Sequence, residues 1–440
     1  MPVNSTHPQY DAHIALWKKC RDVMDGSETI KLRGTDYLPI LSGMTTDEYN
    51  AYKNRALFYG MTAKTVSALV GMSTAREPLL KYPEDMSQYF KDANGLQFLE
   101  LLGTTLSDLL LIGRIGHLVD APTDGGDLYV TTYRAENILN WDIDEYGNIT
   151  WCMLTEEVVT ADENDRFVKV VSTQYRELGL DADGNYVVNL YNEKLESIDT
   201  IEPTFKGNRL NYVPFYIANP YGISADVVRP PMMDIVNINI SHYMTSADLE
   251  HGRHFTGLPT PVAIGVDAAT VLKVGSMTAW NLPDNGDAKY LEFTGQGLQS
   301  LENALKEKET QLASMSARFI DNSTRGSEAV DVVRMRFMSE TASLAINAKS
   351  AESLCTKSYR TIANIGGMNE DDMVISLNVD FMAGKLSGQE IESLVKSYVE
   401  GGITVEVLIH NLRRGEIIPP TMTDEDIIKN LKPATSGTLQ

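Results

Sequence analysis

An α+β protein of several packed units, mainly helical with one antiparallel β-rich region, is what the sequence predicts, and three observations carry that prediction. Long stretches repeat apolar residues at steps of three, four and seven, the period of an amphipathic helix. Between Leu128 and Tyr216, short runs of Val, Ile, Thr and Tyr alternate instead with Asp- and Gly-rich breaks, as in an antiparallel meander. The length, 440 residues, allows two to four units at the usual ~100 to 200 residues per domain.

Composition narrows the function classes. Hydrophobic residues make up 43% and charged residues 22%, values of an ordinary folded protein rather than a disordered or collagenous one. With 60 acidic against 38 basic side chains the formal charge is -22. Tight nucleic-acid binding draws its affinity from Lys and Arg displacing counterions, so a free-standing high-affinity binder is excluded, as is a surface built for anionic membranes. Cys20, Cys152 and Cys355 are far apart and lack CxxC spacing, which encodes neither a zinc knot nor a disulfide framework and fits a reducing compartment. The first twenty residues hold no apolar core of signal-peptide length, and the greasiest stretch, Leu96 to Val119, is interrupted by Glu100, Asp108 and Arg114. No secretion signal or membrane span is expected.

Along the chain, Thr45 and Glu48 have the spacing of a capping box, and Tyr49, Tyr52, Ala56, Ala63, Val66 and Val70 continue it as one helix. After the turn signals Glu77-Pro78 and Asn94-Gly95, Leu99, Leu102, Leu106 and Leu109 mark a second helix that ends near Gly113 and Gly116. Within the meander, Asp144 to Asn148 and Asp181 to Asn185 read as hairpin turns, because neither goes on to the spaced ligands and closing Glu of a calcium loop. Pro230-Pro231 opens a segment, Met232 to Phe255, whose alternation of Val236, Ile238 and Ile240 with Asn237, Asn239 and Ser241 resembles a strand. The paired prolines and the following Tyr243, Met244, Ala247 and Leu249 favour a helix. Prolines and glycines from Gly257 to Gly297 suit a compact α/β insertion.

The two clearest helices follow. Leu298, Leu301, Leu305, Leu312, Met315 and Phe319 line one face of the first. After a polar break at 321–326, the 39 residues between Gly326 and Gly366 contain neither Gly nor Pro and would span ~58 Å as one helix at ~1.5 Å per residue. Val330, Val333, Phe337, Leu344, Ala348, Ala351, Cys355 and Ile362 keep close to heptad steps along it. Val374 to Val379 reads as a short strand. Ser387 with Glu390 caps a C-terminal helix that Gly401-Gly402 ends, Arg413, Arg414 and Gly415 close the next, and the last eight residues form a loose tail.

Catalytic signatures are wanting. Phe58 to Thr65 is the nearest approach to a phosphate-binding loop, but Phe58 and Ala63 replace the required glycines and the periodicity puts the segment in mid-helix. Glu250, His251 and His254 are the only dense titratable cluster of metal-like character. The two histidines could share a helix face and support a metal-dependent hydrolase, although HExxH spacing is absent and a satisfied or solvent-facing pair is the simpler reading. No GxSxG elbow occurs, and Cys152 and Cys355 lack a nucleophile context. Arg318, Arg325, Arg334 and Arg336 against Asp321, Glu328 and Asp331 leave one net positive charge around the 321–326 break, a local exception in an acidic chain. No enzyme, metal or cofactor is expected.

Three phrases, YLPILSGMTTDEYNAYKNRALFYGMTAKTVSALVGM at Tyr37 to Met72, YRAENILNW at Tyr133 to Trp141 and SGQEIESLVKSYVEGGITVEVLIHNLRRGEI at Ser387 to Ile417, together with the element order, resemble the portal, or head-to-tail connector, proteins of tailed bacteriophages. The resemblance covers about Lys31 to Asn430. It implies a ring, typically of twelve copies, at one capsid vertex, through which double-stranded DNA is packaged and ejected. It also implies a portal fold: a wing at 1–229 made of N-terminal helices and the β meander, a first stem helix at 230–256, a small α/β clip at 257–297 and a second stem helix at 298–320. A tunnel loop at 321–328, a long wing helix with a short strand at 329–384, and a crown and tail at 385–440 complete it. Arg318, Asp321, Asn322, Ser323, Thr324, Arg325 and Gly326 then become the candidates for lining the DNA channel. The implied partners are the large terminase, major capsid and scaffolding proteins and a head-completion or tail adaptor, with no membrane. The implied location is the virion, reached from the host cytoplasm during assembly. Another capsid-associated adaptor would share the acidic balance but lack a bore wide enough for duplex DNA.

Overall fold

Pro8 opens the first helix, α1 (Pro8–Asp25), where its missing N–H would have no partner in any case, and His7 caps it by accepting the Gln9 N–H on Nδ1 at 3.1 Å. Gly26, at φ +99°, separates α1 from α2 (Ser27–Arg33). The protein's structure, a computed structural model, describes residues 2–90, 96–122, 126–162, 165–257, 260–267, 280, 282–291, 296–320, 330–377, 379, 388–414, 417–418, 422 and 427–429. The chain divides into two units, 1–379 and 380–440.

The capping box at Thr45 forms with both bonds: Thr45 Oγ1 accepts the Glu48 N–H and Glu48 accepts the Thr45 N–H. The helix it starts is shorter than the periodicity predicts. α3 (Thr46–Arg55) stops, and α4 (Met61–Thr74) begins after a break at 56–60. The cause lies far away in sequence. Buried Asn239 accepts from the N–H and hydroxyl of Thr62 at 3.2 and 3.1 Å and donates to the Tyr59 carbonyl at 2.8 Å, supplying the partners an unbroken helix would have provided.

A short strand, β1 (Leu79–Lys81), precedes α5 (Leu96–Leu111). Leu102, Leu106 and Leu109 of α5 are fully buried as the pattern predicts, while Leu99 stays 39% exposed. The β-rich part then runs through β2 (Ile115–Asp120), β3 (Tyr129–Arg134), β4 (Ile138–Ile143), β5 (Ile149–Ala161), β6 (Lys169–Leu180), β7 (Tyr186–Tyr191) and β8 (Ser197–Ile201). A small pair, β9 (Thr204–Phe205) and β10 (Asn208–Arg209), leads to β11 (Phe215–Asn219) and β12 (Gly222–Ile223). All pairings are antiparallel, in a four-stranded sheet of order β12-β11-β2-β3 and a five-stranded meander β4-β5-β6-β7-β8.

The two sheets share one core, in which Leu118, Phe215 and Ile217 meet Trp141, Cys152, Leu154, Leu178 and Tyr186. Gly116 is needed there because a Cβ at its position would come within 2.5 Å of Phe215 Cζ and 3.0 Å of Ile138 Cδ1. Gly116→Ala should therefore cost on the order of 1–3 kcal/mol in a denaturant titration through overpacking. An unchanged midpoint would contradict that packing.

Both Asp-rich segments are hairpin turns. Asp144 Oδ1 accepts the Tyr146 and Asn148 N–H groups at 2.9 and 2.8 Å, and Asp181 Oδ1 does the same for Asp183 and Asn185 at 2.9 Å each. Gly147 and Gly184 take the positive φ, +84° and +80°, that the turn requires. The Asn148 side-chain amide, donating to Asp144 Oδ2 at 2.9 Å, and the backbone bonds hold Asp144 below the usual carboxylate range, and the backbone bonds, the Asn185 N–H foremost, do the same for Asp181.

The paired prolines precede a helix, α6 (Met233–Gly257), followed by the hairpin β13 (Thr260–Ile264) and β14 (Asp287–Leu291). Any helical part of the insertion predicted at 257–297 lies outside the described residues. α7 (Gln296–Ile320) and the 36-residue α8 (Val330–Ile365) come next, then β15 (Val374–Ser376), which pairs with β1.

The second unit contains α9 (Gly388–Val399) and α10 (Val405–Arg414). Gly401, at φ +75°, and Gly402 end α9 by donating to the Tyr398 and Ser397 carbonyls at 3.0 and 2.7 Å. Ser387, the cap predicted for α9, and the tail at 433–440 lie outside the described residues.

Candidate functional site

α6 and α7 form an antiparallel pair. Three ties fix their direction: His242 Nε2 lies 3.3 Å from Glu309, Lys308 Nζ donates to Thr245 Oγ1 at 2.6 Å, and Arg253 pairs with Glu302 at 2.9 Å. Numbering rises along one helix as it falls along the other. The β13–β14 hairpin therefore closes one end of the pair, and the opposite end of α7 leads into 321–329. Each helix has 25 residues, so the two ends stand ~37 Å apart at ~1.5 Å per residue.

At the far side of 321–329, α8 is rooted in the first unit. Leu344, Ala348, Ala351, Cys355 and Ile362 are buried at the predicted heptad steps. Polar anchors add direction: Ser350 Oγ donates to the Asn219 carbonyl at 2.5 Å, and the Thr361 and Tyr216 hydroxyls bond at 2.7 Å. His117 of β2 is fully buried between Thr105 Oγ1 of α5 at 2.8 Å and Ser358 Oγ of α8 at 3.2 Å. Burial lowers its pKa to about 3, so the ring is neutral. The single N–H of the neutral ring can donate to one of the two hydroxyls, each of which has its own proton within reach of a helix carbonyl, Leu101 for Thr105 and Leu354 for Ser358.

The segment predicted to line the channel lies between these two described supports. Asp321, Asn322, Ser323, Thr324, Arg325 and Gly326 and the side chain of Arg318 lie outside the described residues, as do the side chains of Arg334 and Arg336. What is described is the framework that carries them: a helix arriving at Ile320 and a helix leaving at Val330.

The hydrolase candidates are not arranged as a metal site. Glu250 accepts from Arg253 at 2.8 Å, and His254 Nε2 lies 3.1 Å from the Arg55 guanidinium, a cation where a metal would have to sit. His251 packs edge-on to Tyr52, with ring centroids 5.2 Å apart, and burial lowers its pKa. Among the described residues no group of three or more His, Cys, Asp or Glu could hold a metal ion. Phe58 to Thr65 is not in mid-helix as predicted, since it spans the break before α4, but among the described residues no strand precedes it, and Asn239 takes the Thr62 amide. Cys20, Cys152 and Cys355 are buried thiols whose pKa burial raises, to about 12 for Cys20 and Cys355.

Sequence reading missed the charged network that ties α1 to α5 and to the turn before β4. Arg21 binds Asp108 through both terminal nitrogens at 2.7 Å and Glu136 through Nε at 2.8 Å. Partners 87 and 115 residues apart leave no local signal. A second network joins Arg176 to Glu156 at 2.8 Å and to Asp120 at 3.3 Å. Arg114 is also fully buried, with its guanidinium 4.1 Å from the Trp141 ring centroid and Nη1 donating to the Ala225 carbonyl.

Residues 231–364, which include α6, the hairpin, α7 and nearly all of α8, match a family described as a domain of unknown function (DUF4055). No curated protein matches the chain. Among solved structures it is similar to a chain from the neck of a native GTA particle computed with C12 symmetry, with 11% identity over 78% of this chain and 86% of that one and a TM-score of 0.35. It is also similar to a chain from the neck of an empty GTA particle computed with C6 symmetry, with 12% identity over 82% and 90% and a TM-score of 0.40. A chain from the virion of a native gene transfer agent particle gives 11% identity over 89% and 99%, with a TM-score of 0.39. Among the described helices none is long and apolar enough to cross a membrane.

Proposed function

We propose that this chain is a portal-type head-to-tail connector subunit. Twelve copies would form a ring at one vertex of a phage-like particle and pass double-stranded DNA during packaging and ejection. The observation that carries the reading is the antiparallel α6–α7 pair. A β hairpin closes it at one end, and at the other 321–329 continues it into a long helix rooted in the β-rich unit. A conduit subunit needs such a part: a stiff stalk long enough to line a passage, with a loop at its inner end held between two anchored helices.

Charge supports the same reading. Phosphates must slide both ways through a conduit, and a chain of net charge -22 with sparse arginines near 321–326 repels more DNA than it traps. In this reading Arg318, Asp321, Asn322, Ser323, Thr324, Arg325 and Gly326 face the bore and touch DNA weakly and without sequence preference. The β13–β14 end offers the docking site for a terminase and a tail adaptor, and the chain does no chemistry of its own.

Native mass spectrometry of the purified chain at assembly-level concentration tests this. A single closed species near twelve times 48.7 kDa is the expected result. Monomers alone would overturn the reading, and a closed ring whose end-on image has no bore wide enough for duplex DNA would replace it with a capsid-associated adaptor.

A further inference from the structure

β5 and β6 outrun their sheet. β4 pairs with β5 only as far as Leu154, and β7 with β6 only from Tyr175, so the six residue pairs from Glu156 and Gln174 to Ala161 and Lys169 have no third strand among the described residues. At ~3.3 Å per residue this makes a two-stranded arm ~20 Å long. A lone hairpin is marginal in water unless something covers an apolar face. This one displays such a face: cross-strand partners Val159 and Val171 are each 60% exposed, and Phe167 at the tip is 80% exposed. From 157 to 171 the arm carries Glu157, Asp162, Glu163 and Asp165 against Arg166 and Lys169, a net charge of -2.

A surface of complementary character lies elsewhere on the chain. Lys31 Nζ donates to the Asn54 carbonyl at 3.1 Å, which brings the end of α2 against the end of α3. At this corner Leu32 is 85% exposed and Leu57 63% exposed. The stretches 31–33 and 53–57 contain four basic residues and no acidic one; Arg33 is paired with Asp22 at 3.0 Å, which leaves Lys31, Lys53 and Arg55 as the cations without a carboxylate partner there among the described residues. In a protein of net charge -22, copies repel one another, so a contact between them has to find the few places where basic residues cluster.

We propose that the β5–β6 arm of one copy docks on the α2–α3 corner of a second copy, with Phe167 and the Val159–Val171 pair covering Leu32 and Leu57. Arm and corner are different surfaces, so each docked copy still offers one of them, and the contact propagates until a ring closes. The inference rests on the ring reading above and supplies one of its subunit contacts.

Cysteine pairs test it on the full chain, because all three native thiols are buried. Phe167→Cys combined with Leu57→Cys should give a ladder of covalent oligomers under oxidation, and neither single variant should. Val171→Glu should reduce the ring species at least tenfold at a concentration where the wild type is assembled, with an unchanged circular dichroism spectrum. Mixing Phe167→Glu chains with Leu32→Glu/Leu57→Glu chains should give heterodimers that go no further, since only one good contact remains per pair. If the wild type forms rings and the arm variants form them equally well, or the paired cysteines never cross-link copies, the docking is wrong while the connector reading stands. A wild type that is only monomeric overturns both.

Discussion

Arg21→Ala is expected to lower the unfolding free energy by about 3–5 kcal/mol, the range for removing one partner of a buried ion pair. Asp108 keeps only 5% of its side chain exposed and Glu136 19%, so the loss of Arg21 strands two carboxylates in a poorly solvated place. The bidentate bond to Asp108 and the bond to Glu136 keep the guanidinium protonated against a desolvation that acts in the other direction. Arg21→Met combined with Asp108→Leu should recover most of the loss, because removing both charges also removes the cost of burying them. Urea titration at a concentration below ring formation measures this without the contribution of assembly. A loss under about 1 kcal/mol for Arg21→Ala would mean that the network is solvated, as surface pairs are.

The second large effect concerns acid. His117 has a folded pKa of about 3, below the ordinary value near 6.5, because it is wholly buried among uncharged partners. Between those two pH values the unfolded chain binds a proton at this site that the folded chain does not, so stability falls as pH falls through that window. At ~1.36 kcal/mol per pH unit the penalty reaches roughly 2–3 kcal/mol by pH 4.5. In His117→Leu the term vanishes. The hydroxyls of Thr105 and Ser358 keep a partner in the variant, since each can donate its one proton to its own backbone carbonyl four residues back, Leu101 at 2.7 Å and Leu354 at 2.9 Å. The variant should therefore show a shallower fall in stability between pH 6.5 and 4.5 than the wild type. Parallel curves would show that water reaches the ring.

Legibility in the sequence followed the range of the forces involved. The Thr45 capping box, the Asp144 and Asp181 turns and the glycine stop after α9 depend on neighbours within five residues, and each appears where local chemistry puts it. α5 and α8 were legible because Leu102, Leu106 and Leu109 of the one and Leu344, Ala348, Ala351, Cys355 and Ile362 of the other are buried at helical steps. α6 was harder. Its alternation of apolar residues with Asn237, Asn239 and Ser241 suggests a strand, yet Asn239 is fully buried and belongs to the same helical stripe as Val236, Tyr243 and Ala247. The same asparagine explains why α3 and α4 are two helices, through contacts 177 and 180 residues away that no local window contains. The Arg21 network is hidden for the same reason. Of the candidate channel, the supports on either side were readable from periodicity, whereas residues 321–326 were singled out by polarity and by the resemblance.

The most direct test is a three-dimensional reconstruction of the purified assembly by cryo-electron microscopy. The connector reading predicts a closed ring with an open centre, with the segment joining α7 to α8 turned toward the bore. A reconstruction with that segment on the outer rim, or with no central opening, would contradict it.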